Sequence, residues 1–347
     1  MPGVSETIPL LIFPVLTAVS AFLFFDLLPA FAPGLHRQCT PPSQLQNVPR
    51  TGFEAVDEPL CFAISFFHVA LEDRDARRFL VYLLGTSVPY IVLPLLVAFE
   101  NAQKRSGRVG HGVVAGWARR ALTYPAVWFS LTQVATLGVT MTVYALALSL
   151  ASPSSTARGT GTQPSTSLDI VGIAISLVLG AALPSYALLQ CEDPRVTAVW
   201  QLFPLYIAAI SYIWRRAHRS FVTAQPNTNS RPPIHILLAS CILTSAYFHI
   251  STLSSEIASF DIPSIIEFFN PTLRRLESLP SSVNTFLQLD FILSFASLYL
   301  VYLIDSLASG ALGRVLGLIV VGGAGSLVLG PSAVLVGVRL YDEIMKA

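Results

Sequence analysis

The chain has 347 residues, of which 53% are hydrophobic and only 12% are charged. A soluble domain ordinarily carries about 25% charged residues. The 21 basic and 20 acidic side chains are therefore too few to cover a water-soluble surface of this size. A mean hydropathy of +0.63 indicates a protein whose outer surface faces lipid. The net charge of +1 gives no strong attraction to nucleic acid, so no nucleic-acid partner is expected.

Long apolar runs recur along the chain, without the alternating polarity of barrel strands. Because a crossing helix needs about 20 apolar residues, they predict an all-α transmembrane helix bundle with eight or nine spans, and residues 1–347 form a single integral membrane domain. The first run lacks a preceding basic segment and is interpreted as a retained span rather than a signal peptide. The candidate spans are residues 8–31, 53–71, 79–99, 125–151, 169–190, 197–214, 233–252, 286–308 and 312–339.

Some features stay open at this point. Segment 53–71 is short and begins with acids, so it is a full span, a half-span or a tilted interfacial helix. Residues 253–285 have apolar positions at helical spacing, which indicates a short interfacial helix. Lys and Arg divide almost equally between the two sides for either span count, so the orientation is not decided. The cysteines show no zinc-type spacing and are interpreted as small apolar residues that say nothing about the redox compartment. They are Cys39, Cys61, Cys191 and Cys241.

A polar stripe runs along segment 53–71 at three- and four-residue steps. Ionisable groups inside a span need a reason, because each costs about 2.5–3.5 kcal/mol at the bilayer centre. The stripe predicts an inward-facing polar site. The alternative is a helix whose acidic end only dips into the interface. The residues of the stripe are Glu54, Asp57, Glu58, Cys61, Ser65 and His68.

Two further ionisable residues interrupt apolar runs. Asp290 lies one turn inside its run and is followed at the same spacing by Ser294 and Ser297. Its alternative reading is an interfacial acid paired with a loop arginine. His249 lies on a polar face of segment 233–252, where the alternative is a hydrogen-bonded structural histidine. We expect Asp57, His249 and Asp290 to converge on one cavity, because lipid-facing carboxylates would be too costly.

Several chemical signatures are absent from the sequence. It contains no DDxxD-type diphosphate motif, Walker A loop, nucleophile elbow or HExxH motif. Segment 125–151 adds Trp128 and hydroxyl residues at four-residue steps, with Gln133 adjacent. Such hydroxyls often join membrane helices, so they carry little functional information. Because the diphosphate motif is absent, a magnesium-diphosphate site of the class I or UbiA type is not expected.

Short motifs spread over most of the chain resemble one fungal family. They are GFEAVDEPLC at 52–61 with SFFH at 65–68, PAVW at 125–128, LPS at 183–185, WQLFPL at 200–205, FLQLD at 286–290 and LGP at 329–331. This pattern resembles the fungal integral-membrane terpene cyclases of meroterpenoid biosynthesis, of the ascochlorin, ascofuranone and macrophorin type.

The resemblance implies a multi-pass membrane enzyme of fungal secondary metabolism, located in the endoplasmic reticulum. Its substrate would be a prenylated aromatic or polyketide-derived small molecule with a farnesyl or epoxyfarnesyl chain, cyclised by a protonation-initiated reaction. Such chemistry needs a carboxylic acid held in an apolar cavity and aromatic faces for the cation. It needs no metal and no cofactor, so neither is expected. The candidate catalytic residues are Asp57, Asp290, Glu54, Glu58 and His249. The candidate substrate-binding residues are Phe66, His68, Trp128, Gln133, Trp200, Gln201, Tyr206 and Tyr247.

The predicted general acid is Asp57, or its neighbour Glu54 or Glu58, with Asp290 as its partner. The rival interpretation is a proton- or ion-coupled transporter in which the buried acids relay ions. The sequence shows no inverted repeat and no pair of interrupted helices in matching positions, which favours the enzyme. A third interpretation is a structural membrane protein whose polar stripes only join helices.

Overall fold

A computed structural model describes residues 4–40, 48–104, 113–151, 167–219, 232–271 and 278–345. Within these ranges the secondary structure is helical, with no strand, as the apolar runs predict. Two π-helical turns, Val178–Ala182 and Val321–Gly325, continue α8 into α9 and α16 into α17. The helices are α1 (Val4–Cys39), α2 (Glu54–Glu72), α3 (Arg74–Thr86), α4 (Val88–Lys104), α5 (Val113–Leu122), α6 (Pro125–Ala135), α7 (Leu137–Ala151), α8 (Ser167–Leu177), α9 (Leu183–Cys191), α10 (Pro194–Trp200), α11 (Phe203–Arg219), α12 (Pro232–Thr252), α13 (Ser254–Ala258), α14 (Ile262–Phe269), α15 (Leu279–Ala308), α16 (Leu312–Val320), α17 (Ser326–Val328) and α18 (Pro331–Ile344).

Five helices in the described ranges are long and apolar enough to cross a bilayer, and they match five of the predicted spans. A sixth crossing is added if α10 and α11, which meet at a bend of 46°, count as one span. The predicted total of eight or nine is not confirmed. Two of the five run through more than one element: Arg74–Asn101 through α3 and α4, and Asp169–Cys191 through α8 and α9. The other three are Thr7–Cys39, Pro233–Thr252 and Leu279–Ala308.

The predicted segment 53–71 is the helix α2, which is not among these five. Its first half is mostly exposed and its second half is largely buried against α1, α3, α10 and α15. The short interfacial helix expected within 253–285 is also present, as α14.

Helix α15 runs antiparallel to α1 through the bundle. Its first residue, Leu279, contacts Gly34 near the end of α1. Twenty-two residues later, Val301 packs in one cluster with Phe13 near the start of α1. We call the end of the bundle that holds Cys39 and Leu279 the disulfide end, because Cys39 is half of a disulfide described below.

The predicted continuous span 125–151 is wrong, because the chain turns back at Thr136. Helices α6 and α7 form a hairpin in which the rings of Trp128 and Tyr144 lie 5.3 Å apart. In one straight helix these residues would be separated by about 24 Å. Thr136 has φ 68° and ψ 159°, a backbone conformation that residues with a Cβ rarely adopt. The 15-residue helix α7 is about 22 Å long, which is too short to cross the roughly 30 Å hydrocarbon core.

The predicted continuous span 312–339 is also wrong, because the chain reverses at Gly330. Arg314 of α16 pairs with Asp342 of α18 at 2.6 Å. Nearer the turn, Gly325 lies against Val334. Gly330 has φ 89° and ψ 149°, a region that is essentially restricted to glycine. We call the hairpin of α6 and α7 the first hairpin, and the hairpin that runs from α16 to α18 the second hairpin.

Two of the four cysteines are bonded to each other. Cys39 and Cys61 form a disulfide with their Cα atoms 6.0 Å apart, so their interpretation as small apolar residues is wrong. Cys191 and Cys241 are free, the first exposed and the second buried. Disulfides persist in oxidising compartments. We therefore expect the disulfide end to face the lumen or cell exterior rather than the cytosol.

Cys191 provides a direct test of this orientation. It precedes Glu192, which pairs at 2.7 Å with Arg77 near the start of α3. The start of α3 lies at the disulfide end, because Asp73 lines one cavity with Gln38 and Leu279. In sealed microsomes with the cytosolic face outward, we expect a membrane-impermeant maleimide to label Cys191 only after permeabilisation. The variant Cys191→Ser is the control and should lose the label. Labelling of Cys191 in intact vesicles would contradict the orientation.

Candidate active site at the tips of the two hairpins

Asp290 is a buried carboxyl group at the tip of the first hairpin. Its side chain lies in α15 and the residue is 8% exposed. Oδ1 accepts a hydrogen bond from the N–H of Gly138 at 2.7 Å, and Oδ2 accepts one from the N–H of Leu137 at 3.2 Å. First-turn amides have no partner within their own helix, and a helix N-terminus carries partial positive charge. Asp290 therefore caps α7 inside the bundle, so its interpretation as an interfacial acid paired with a loop arginine is wrong.

Close packing at Gly138 makes this cap possible. A Cβ at this position would lie 3.2 Å from Oδ1 of Asp290 and 3.1 Å from Leu293. The rest of the predicted stripe does not extend the site. The hydroxyl groups of Ser294 and Ser297 donate to main-chain carbonyls one turn earlier in α15, both at 2.6 Å. Asp290 is the member of that stripe that reaches another helix.

His249 lies in α12 and packs against the tip of the second hairpin. It is fully buried, with Nε2 lying 3.2 Å from the carbonyl oxygen of Leu327 and Nδ1 lying 3.2 Å from the hydroxyl of Tyr82. Because a carbonyl only accepts, Nε2 carries the proton, and in the neutral ring Nδ1 accepts from Tyr82. A Cβ on Gly330 would lie 2.8 Å from the imidazole. His249 thus joins α12, α3 and the second hairpin, as the structural alternative expects.

The two tips meet in one layer of the bundle. The ring of Tyr82 lies 5.3 Å from Phe291, the residue that follows Asp290. Tyr90 lies beside Ser332, the second residue of α18, and its ring lies 6.3 Å from that of Phe291. We call the set Tyr82, Tyr90, His249, Asp290 and Ser332 the tip layer.

Sequence reasoning missed three members of the tip layer. Tyr82 and Tyr90 lie in apolar stretches without a polar stripe, so nothing distinguishes them from ordinary core aromatics. Ser332 carries a weak signal, because Gly330 and Pro331 before it are typical of a chain reversal followed by a helix start.

An aromatic surface covers the tip layer towards the disulfide end. The ring of Phe269 lies 5.4 Å from Tyr82 and 5.9 Å from Phe291, and it stacks on His249 at 6.2 Å. Phe268 lies 5.4 Å from Tyr82, and Gln288 donates to its carbonyl at 2.8 Å, which ties α14 to α15. Aromatic faces of this kind attract cations. We call Phe79, Phe268, Phe269 and Phe291 the aromatic wall.

Asp57, the predicted general acid, does not join the tip layer. It lies at the start of α2, where its carboxylate accepts from the N–H of Thr51 at 2.6 Å, from the Thr51 hydroxyl at 2.7 Å and from Gly52 N–H at 3.1 Å. The main-chain and side-chain bonds from Thr51 lower the pKa of Asp57 below its ordinary value. Glu54 and Glu58 are exposed. The expected convergence of Asp57 with Asp290 and His249 is wrong, because the acidic turn remains at the surface.

Phe66 and His68 are buried in α2 but lie at another junction. Phe66 packs 5.1 Å from Phe286, and its neighbour Phe67 lies 4.7 Å from Trp200. His68 is 8% exposed, and its Nε2 has no hydrogen-bond partner in the described structure. These contacts fix α2 against α15 and α10.

Trp200, Gln201 and Tyr206 lie around the bend between α10 and α11. Trp200 donates from Nε1 to Ser185 at 3.0 Å, and Tyr206 donates to the carbonyl of Val199 at 2.9 Å. Gln201 is partly buried, with Nε2 unpartnered in the described structure. The two hydrogen bonds hold the bend, and no contact places these residues at the tip layer.

The remaining predicted substrate-binding residues are in other places. Trp128 donates from Nε1 to the carbonyl of Ala121 at 3.1 Å and so fixes the first hairpin to α5. Gln133 is exposed, and Tyr247 is 67% exposed. The four-residue stripe that begins at Trp128 does not exist as one helix face, because α6 ends before Thr136.

The family model of the CtvD domain matches residues 35–343, which is most of the chain. The chain belongs to the CtvD domain family. This family is associated with meroterpenoid and terpene-cyclase biosynthesis in fungi, which confirms the resemblance at that broad level. The matched range contains the tips of both hairpins and every residue of the tip layer. No curated protein and no solved structure matches the chain.

Proposed function

We propose that this protein is a membrane-bound terpene cyclase in which Asp290 starts the reaction by giving a proton to the prenyl chain. The observation that carries the proposal is the position of Asp290 at the N-terminus of α7, next to Phe291 of the aromatic wall. Among the described residues it is the one buried carboxyl group. Membership of the CtvD domain family supports the same function.

The surroundings of Asp290 suit a group that gives up and regains a proton. A bare carboxylate in an apolar interior is costly, but two N–H donors and a helix N-terminus offset that cost. The shorter bond, at 2.7 Å, holds Oδ1, whereas Oδ2 is held at 3.2 Å. We assign the transferable proton to Oδ2. As that O–H bond breaks, the first-turn amides of α7 stabilise the negative charge that develops.

Asp290 adds the proton to the terminus of the prenyl chain of the substrate. With an alkene, a C–H bond forms and the adjacent carbon becomes cationic; with an epoxide, the oxygen takes the proton and its C–O bond opens. Neighbouring double bonds then attack the cation and close rings. The aromatic wall offers its ring faces to the positive charge and excludes water from it.

The pair Tyr82 and His249 is the proposed base that ends the reaction. The final carbocation loses a proton to the Tyr82 oxygen, while the Tyr82 hydroxyl proton moves to Nδ1 of His249 across the 3.2 Å hydrogen bond. The electrons of the broken C–H bond form the product alkene. His249 becomes imidazolium and Asp290 carboxylate, and proton return resets both, so the net reaction is an isomerisation.

The proposal extends to the substrate and the location. The substrate is a farnesylated or epoxyfarnesylated aromatic or polyketide-derived compound, of the kind found in ascochlorin, ascofuranone and macrophorin pathways. The reaction uses no metal or cofactor and takes place in the endoplasmic reticulum membrane. Access for such a substrate requires the hairpin tips to separate, since Gly138 and Gly330 are closely packed against their neighbours.

The test is conversion of a prenylated substrate by microsomes from a fungal host that expresses the protein. We expect a cyclised product with the same mass as the substrate, formed equally well with EDTA and absent from control microsomes. An alkene-terminated and an epoxide-terminated substrate should be run in parallel. Failure to convert either would contradict the proposal, and loss of activity with EDTA would indicate a metal-dependent reaction instead.

One observation favours the transporter as a second candidate. The sequence showed no pair of interrupted helices, yet the structure contains two hairpins whose helix N-termini begin inside the bundle. Discontinuous helices with this geometry form substrate sites in secondary transporters. In sealed proteoliposomes a transporter would accumulate its solute chemically unchanged, whereas the cyclase consumes its substrate without a gradient.

A further inference from the structure

The two hairpin tips differ in how their helix N-termini are satisfied. Helix α7 is capped by the Asp290 carboxyl group, but α18 has no side-chain cap among the described residues. Gly330 precedes α18, and Pro331 at its first position has no N–H. The amides of Ser332 and Ala333 point out of the first turn and have no acceptor within the helix. This 14-residue helix therefore presents uncompensated donors to the tip layer.

Two buried hydroxyl groups lie at the same place. Ser332 is 0% exposed and Tyr90 is 1% exposed. Neither hydroxyl oxygen has a partner at full hydrogen-bond geometry in the described structure, although the two hydroxyls lie close enough to interact with each other. Tyr90 lies beside Ser332, so its hydroxyl is directed to the start of α18. An orphaned hydroxyl in an apolar interior is costly and requires an explanation.

The chemistry of the set selects its occupant. Two amides donate only, and when one of the hydroxyls of Ser332 and Tyr90 donates to the other, the second remains free to donate to a ligand. The partial positive charge of the helix N-terminus adds to the preference for an electron-rich atom. A hydrophobic group or a cation would leave these donors unsatisfied. The site therefore fits an oxygen atom that accepts several hydrogen bonds.

We propose that the start of α18, together with Ser332 and Tyr90, binds an acceptor oxygen of the prenylated substrate. The inference deepens the proposed function and rests on it. The ring of Tyr90 lies 6.3 Å from that of Phe291, the residue after Asp290, so the bound oxygen anchors the substrate near the proton donor. The oxygen belongs to the ring, as a carbonyl or phenol, or to a terminal epoxide, and the experiment separates these two sources.

The variants Tyr90→Phe and Ser332→Ala test the site against a matched control. Tyr144 is also fully buried with an unpartnered hydroxyl, but it packs against Trp128 inside the first hairpin. We expect Tyr90→Phe and Ser332→Ala each to raise KM about tenfold, the effect of one lost hydrogen bond. Tyr144→Phe should leave KM within about twofold.

Three substrates identify the oxygen: one with ring oxygens and an alkene terminus, one with ring oxygens and an epoxide terminus, and one with an epoxide but no ring oxygen. Sensitivity to Tyr90→Phe with the first and second substrates but not the third assigns the ring oxygen. Sensitivity with the second and third but not the first assigns the epoxide. Wild-type KM in both variants for every substrate would show that the hydroxyls hold only a structural water, and would overturn the inference while leaving the cyclase intact.

A binding measurement keeps the inference testable if turnover is absent. The purified wild-type protein is titrated with an analogue that has the ring oxygens and a saturated prenyl chain, which cannot be protonated. We expect a rise in thermal unfolding temperature that Tyr90→Phe diminishes and Tyr144→Phe retains. An unchanged unfolding temperature, or an equal rise in all three proteins, would contradict a ring-oxygen site. The saturated epoxide is titrated in the same way. If neither analogue gives a rise that depends on the Tyr90 hydroxyl, the inference is overturned.

Discussion

Substitution of Asp290 by asparagine is expected to lower cyclisation by a factor of about 10²–10⁴, the range that general acid catalysis ordinarily contributes. Asparagine keeps the size of the side chain, and its amide oxygen can still accept from Gly138 N–H, the stronger of the two bonds at 2.7 Å. The NH₂ group then takes the place of Oδ2, where the contact with Leu137 N–H is longer. The first hairpin keeps most of its cap but loses the transferable proton.

The measurement is microsomal turnover per molecule of membrane-inserted protein, with the thermal unfolding temperature measured in parallel. A severe loss of turnover with an unfolding temperature near that of wild type is the expected result. Turnover within about threefold of wild type would show that Asp290 serves only as the cap of α7.

Substitution of Gly330 by alanine should be the most damaging single change in the second hairpin. The residue has φ 89° and ψ 149°, where a side chain costs about 1–3 kcal/mol in backbone strain. A Cβ would also lie 2.8 Å from the His249 imidazole, so the ring must move away from Leu327 or Tyr82. We expect a clearly lower thermal unfolding temperature in detergent and a loss of turnover.

Gly337 provides the matched control on the same helix. It lies inside α18, and a Cβ there would meet nothing within 4 Å. Alanine is favoured over glycine in a helix interior by about 1 kcal/mol, so Gly337→Ala should unfold at the wild-type temperature or above it. Equal unfolding temperatures for Gly330→Ala and Gly337→Ala would contradict the geometry of the turn.

The helical content and five of the spans follow from apolar run length alone, because a bilayer demands about 20 apolar residues of any helix that crosses it. The two hairpins could not be predicted in this way. Segments 125–151 and 312–339 have the composition of a span whether the chain continues or turns back. Only the backbone at Thr136 and Gly330 distinguishes these cases, and no apolar count contains that information.

The candidate site could be predicted in part. Asp290 and His249 stand out because each is an ionisable residue in an apolar run, and both occupy a hairpin tip. Asp57 stood out for the same kind of reason, but the acids of α2 lie at a helix start, where Thr51 and Gly52 solvate the carboxylate. Spacing along a helix shows which residues share a face, and it does not show whether that face is buried.

The most direct test of the central claim compares Asp290→Asn with Asp57→Asn in one microsomal assay, using the same prenylated substrate and equal amounts of inserted protein. The sequence pattern points to Asp57 as the acid, whereas the structure places it at the surface with a lowered pKa and so without a proton to give at neutral pH. If the active site lies at the tip layer, Asp57→Asn retains turnover within a few-fold of wild type. Turnover of Asp290→Asn then falls by at least about 10²-fold. The opposite pattern, with Asp57→Asn inactive and Asp290→Asn active, would contradict the assignment of the active site to the hairpin tips.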